Sequence, residues 1–123
     1  MAVDPHQAAY RKVHAHLIAQ GKRAVSKHGS CMYRTPEGLA CAVGCLIPDK
    51  ELAGFNESDL CEAVSEIRHQ CPSLKYLGTR FLEAIQGVHD SKDNWDADGF
   101  NTLGRRELRA VAQTFDLVPV PNG

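Results

Sequence analysis

The sequence predicts one mainly α domain of α+β type, with four to five helices around a small central β-hairpin. Three observations carry that expectation. Apolar residues recur at three- and four-residue spacing in four stretches, the mark of helices with one buried face. Around residues 31–43 the pattern breaks into two short runs either side of a turn. No repeat, linker or low-complexity tract divides the 123 residues, and a chain this long buries roughly two thirds of its unfolded surface without a disulfide or metal. The expected globular unit is 1–118, followed by an extended tail over 119–123 that is rich in proline.

The first helix is expected from Pro5 to Gln20. Asp4 offers an N-cap acceptor, Pro5 suits the first helical position, and Gly21 suits the stop. Ala9, Val13, Leu17 and Ile18 are its candidate core residues. Next, CMYR and LACAV flank TPEG, where Pro36 and Gly38 fit a tight turn, and this segment is the expected hairpin. The run CAVGCLI is buried whichever form it takes, and Ile47-Pro48 ends it. A helix capped by Asn56 or Ser58 would place Leu60, Cys61, Val64 and Ile67 on one face, closed by Pro72. Another, capped by Thr79, would bury Phe81, Leu82, Ile85 and Val88. The last would start at Asn101 or Thr102 and carry Leu103, Leu108, Val111, Ala112 and Phe115.

Composition removes several function classes. Charged residues interrupt every apolar run, so no stretch approaches the ~20 residues of a membrane span. Met1 to Gln7 offers no apolar leader, so the five cysteines are expected to be free thiols in a reducing cytoplasm. The net charge of -1 hides a division. Six bases stand against two acids before Asp49, and thirteen acids against eight bases from there on. Such separation can steer different partners to different faces.

The block CMYRTPEGLACAVGCLIPD carries a resemblance. Cys31, Tyr33, Arg34, Gly38, Leu39, Cys41, Ala42, Val43, Gly44, Leu46, Ile47 and Asp49 follow one another in an order that resembles a group of short uncharacterised proteins of tailed phages and prophage-bearing bacterial genomes. Gln20 and Gly21 before the block, and Gln86, His89, Asp90 and Trp95 after it, extend the likeness over most of the chain. It implies a small phage-type accessory protein acting in a bacterial host cell. It implies no reaction.

Five chemistries can be weighed on the residues. Zinc could be held by His28, Cys31, Cys41 and Cys45, but C-x9-C and C-x3-C are not the two-residue spacing of zinc hairpins, so packing is the preferred role and no cofactor is expected. Asn94, Asp96, Asp98 and Gly99 match the start of a calcium loop, yet Arg105 stands where the bidentate Glu belongs. A catalytic Cys/His pair would need Cys31 brought to His89 and Asp90, and no hydrolase or nucleotide-binding spacing occurs. Basic residues Lys22, Arg23, Lys27 and Arg34 beside Tyr33, and Arg105, Arg106 and Arg109, are diluted by acids, which speaks against direct nucleic-acid binding. Protein recognition has the best support, with Asp93, Asp96 and Asp98 around Trp95 and a second acidic face at Glu62 and Glu66. These six residues are the expected partner-binding surface. The expected partner is a host protein, such as a basic nucleic-acid-handling defence complex of the CRISPR-effector kind, whose charge complements the acids.

Overall fold

A computed structural model describes residues 4–26, 29, 31–56 and 58–120. Its first helix, α1, runs Pro5–Gln20. The Asp4 carboxylate accepts the His6 amide at 2.8 Å, and Gly21 closes the helix at φ 73°, donating to the Leu17 carbonyl. A left-handed residue costs an L side chain energy, so glycine belongs at that stop. Ala9, Tyr10, Val13, His14 and Leu17 face inward. Ile18, an expected core residue, is 39% exposed, whereas Tyr10 and His14, one turn apart, are buried.

The architecture is mainly α with a small antiparallel sheet, as expected, but the sheet lies elsewhere. TPEG does turn, with the Thr35 amide donating to the Leu39 carbonyl at 2.8 Å and a single bridge between Arg34 and Ala40. It goes no further as a ladder, because its neighbours bond to other parts of the chain. Met32 N–H donates to Ala24 O, and Tyr33 N–H to Leu60 O, both at 2.9 Å. Residues 41–46 then coil into a 3₁₀ turn over Gly44–Leu46 that packs on α1. Gly44 lies so close to Tyr33 that a β-carbon would fall 1.9 Å from the Tyr33 carbonyl oxygen. Arg34 braces this coil, donating to the Gly44 and Ile47 carbonyls at 3.0 and 2.9 Å and pairing with Asp49. A short helix, α2 (Asp49–Leu52), follows Pro48 and was not expected.

The single helix expected over 58–71 is two pieces: a 3₁₀ turn at Asp59–Cys61 and α3 (Val64–Gln70). Tyr33 divides them. It takes the Leu60 carbonyl with its amide and the Glu62 carbonyl with its hydroxyl at 2.7 Å, removing both acceptors from a continuous helical ladder. Asn56 and Asp59 cap the first piece reciprocally. Helix α4 (Thr79–Asp90) buries Phe81, Leu82, Ile85 and Val88, and also Gln86 and His89. Gly78, not Thr79, is its N-cap residue.

The acidic loop holds the two-stranded sheet, β1 (Trp95–Asp96) against β2 (Gly99–Phe100). Asn101 caps α5 (Thr102–Thr114), accepting the Gly104 amide at 2.9 Å. Leu108, Val111 and Ala112 enter the core, while Leu103 stays 42% exposed. Past α5 the chain turns at Asp116, φ 58°, and runs back along α1. Leu117 is buried, and the extended segment Val118 to Val120 is tied to α1 as far as it is described. No helix among the described residues is long and apolar enough to cross a membrane.

Candidate functional site

The residues at the end of α4 converge with the central block. His89 is fully buried. Its Nε2 lies 3.0 Å from the Ala24 amide nitrogen, and its Nδ1 lies 2.8 Å from Asp90 Oδ1. An amide can only donate, so Nε2 must present its lone pair and the ring proton sits on Nδ1, pointed at the carboxylate. Gln86 locks the same carboxylate from one turn back, Nε2 to Oδ1 at 2.9 Å, while its own Oε1 accepts the Val43 amide at 3.0 Å. Asp90 is therefore a positioned carboxylate whose side chain remains 41% exposed.

Cys31 joins this group. Ligand-type atoms of Cys31, His89 and Asp90 all lie within 4.8 Å of one another. Burial first, and then the Asp90 carboxylate, push the Cys31 thiol up to about 11, against the opposing pull of Arg23. Arg23 lies 3.9 Å from the sulfur and donates to the Asp90 backbone carbonyl at 2.9 Å.

Beside them opens a cavity of about 190 Å³. Cys31, Tyr33, Gln86 and Asp90 form one side, and Cys61, Glu62 and Val64 the other. Two acidic residues thus line one small space. Glu62 is held by Gln70 at 3.1 Å, and among the described residues no Lys or Arg forms an ion pair with Glu62 or Asp90.

The structure sorts the expected chemistries. It brings Cys31, His89 and Asp90 together, yet the order is wrong for a nucleophile and base. His89 has one nitrogen accepting from Ala24 and the other donating to Asp90, so neither is free to take a thiol proton. The same bonds leave no imidazole lone pair for a metal ion, so the trio does not fit a ligand set while they persist. The four-residue zinc set does not assemble among the described residues. The Cys41 sulfur accepts the Gly44 amide, Cys45 donates to the Ala42 carbonyl, and burial pushes both thiols up to about 12. His28 lies outside the described residues.

The partner-binding residues are divided between two places. Glu62 faces the acidic cavity, and Glu66 is exposed on α3. Asp93, Asp96 and Asp98 are exposed along the turn before and within the hairpin. Trp95 is not a free anchor, since its indole N–H donates to the His89 carbonyl at 2.9 Å and its ring packs on His89 and Phe100. Asn94, the first position of the calcium-loop reading, is buried, with its amide nitrogen donating to Val88 O and to Glu107 and its Oδ1 left without a hydrogen-bond partner. Sequence reasoning missed Gln86 and Tyr33 as residues of this site, although Tyr33 stands in the block that carries the resemblance and Gln86 among the later residues that extend it. A glutamine on the buried face of an apolar helix was the available signal.

Comparison of the chain with family models, curated proteins and solved structures finds no match, so the chemistry of the site rests on its geometry.

Proposed function

We propose that the protein is a phage-type accessory protein that binds a host protein, taking a cationic side chain of that partner between the carboxylates of Glu62 and Asp90. The observation that carries this reading is a cavity lined by two acidic residues, neither of which forms an ion pair with a Lys or Arg among the described residues. Its size suits an ammonium or guanidinium head rather than a drug-sized ligand. Asp90 is held by Gln86 and His89 before any partner arrives, so little ordering cost falls on binding. The exposed Asp93, Asp96 and Asp98, with Glu66, add negative charge that would speed encounter with a basic surface. A host defence complex that handles nucleic acid, such as a CRISPR effector, presents such a surface. The phage setting itself rests on the resemblance of the central block.

Affinity capture from a bacterial lysate, run side by side with Glu62→Gln and Asp90→Asn, tests the reading. Both changes remove charge and keep hydrogen-bonding shape. The expected result is a partner protein whose recovery falls at least about tenfold in each variant, roughly 1.4 kcal/mol. Changing Asp93, Asp96 and Asp98 together to Asn should slow association and weaken its salt dependence. Identical recovery by the wild type and both cavity variants would overturn the assignment.

A further inference from the structure

A second concave site lies on another part of the molecule and has the opposite charge character. Helix α1 and the returning C-terminal segment enclose a groove of about 500 Å³ lined by Arg11, His14, Ala15, Val118, Pro119 and Val120. The segment that forms one wall is fixed in advance. Gln7 clamps Val118 from both sides, its Oε1 accepting the Val118 amide at 2.8 Å and its Nε2 donating to the Val118 carbonyl at 3.0 Å. The Val120 amide donates to the Tyr10 hydroxyl at 3.0 Å, and Pro119 has no N–H. Every backbone donor of this wall is thus engaged or absent, and what it offers the groove is chiefly hydrocarbon.

The polar groups of the groove are of one kind. Arg11 is exposed and forms no ion pair among the described residues. His14 is only 8% exposed, and its Nε2 is buried without a hydrogen-bond partner. That nitrogen is sealed from solvent, so the ring offers the groove its apolar face and edge. Burial and then the nearby Arg105 lower the His14 pKa. A cation at the rim and apolar walls together describe a receptor for a hydrocarbon body with an anionic head.

We propose that this groove binds a medium-chain carboxylate, with the alkyl body against Ala15, Val118, Pro119 and Val120 and the carboxylate at Arg11. The ligand class is complementary to the groove and would be repelled by the Glu62–Asp90 cavity, so the two sites stand or fall separately.

Octanoate titrated into the intact protein, followed by calorimetry and by amide chemical shifts, decides the matter. The expected result is saturable binding with a Kd no weaker than about 1 mM, reasonable for ten heavy atoms in a preformed groove. Shifts should concentrate on Arg11 to Ala15 and on Val118 and Val120. 1-Octanol, the uncharged match, should bind at least about tenfold more weakly, the worth of a charge-assisted contact. Ala15→Trp should fill the groove and abolish binding, and Arg11→Glu should weaken it at least about tenfold by reversing the rim charge. Both positions are exposed, so circular dichroism should report an unchanged fold. Absence of saturation, equal binding of octanol, or octanoate binding untouched by both substitutions would overturn the proposal.

Discussion

The imidazole of His89 accepts the backbone amide of Ala24 across 65 positions of sequence. That bond joins the segment after α1 to the end of α4, and it sets the tautomer that aims Nδ1–H at Asp90. His89→Phe keeps a ring in the pocket and deletes both bonds, leaving the Ala24 amide buried and unpaired. The expected loss is about 1–3 kcal/mol of unfolding free energy, read by urea denaturation. A change below about 0.5 kcal/mol would contradict the role given to this bond.

Two glycines should respond in opposite directions to alanine. At Gly44 the new β-carbon meets backbone, which cannot rotate away, and overpacking of this kind costs about 1–3 kcal/mol. Gly87, on the exposed side of α4, has nothing within 4 Å, so Gly87→Ala should stabilise by about 0.4–1 kcal/mol through the unfolded chain. Melting temperatures of the two variants check both signs.

Arg34→Lys retains the charge and loses the fork that spans the Gly44 and Ile47 carbonyls. A destabilisation of about 1–3 kcal/mol is expected, since an ammonium cannot reach both acceptors and Asp49 at once. Recovery of wild-type stability by lysine would show that charge alone suffices.

Thiol labelling should follow burial and ionisation. Cys61 is exposed and should alkylate first. Cys31, held up to about 11, should react slowly at pH 8 and about tenfold faster per pH unit as its thiolate populates. Cys41, buried and pushed up to about 12, should label only on unfolding. Peptide mass spectrometry over time resolves the order.

Acid should weaken the fold through two histidines on α1. The pKa values of His14 and His16 are lowered from 6.5, chiefly by burial, so each takes a proton more readily when unfolded. The unfolded chain therefore binds more protons below about pH 6.5, and stability falls as pH drops through that window. The melting temperature at pH 5.5 should lie below that at pH 7.5, and His16→Gln should reduce the difference.

How much of this was legible in the sequence depends on how local each signal is. The α1 caps, Asp4 and Gly21, act over one turn and could be read directly. The apolar faces of α4 and α5 were legible for the same reason, apart from Leu103. Long-range competition was not legible: Tyr33 splits a helix by claiming Leu60 and Glu62 carbonyls, and the partners of Met32 and Tyr33 limit the hairpin to one bridge. The site was half legible. Its acids and the candidate group Cys31, His89 and Asp90 could be named in advance, but the proton order that decides their chemistry comes from Ala24, 65 positions away in sequence.

The clamp of Gln7 on Val118 has a mechanical consequence. It ties the two ends of the fold together with two hydrogen bonds spanning 111 positions. A stretching force applied through Asp4 and Val120 would load this clasp and the Tyr10–Val120 bond before it reached the packed helices. The molecule would then yield in sequence, with the clasp opening at low force and the core holding until a later, larger event.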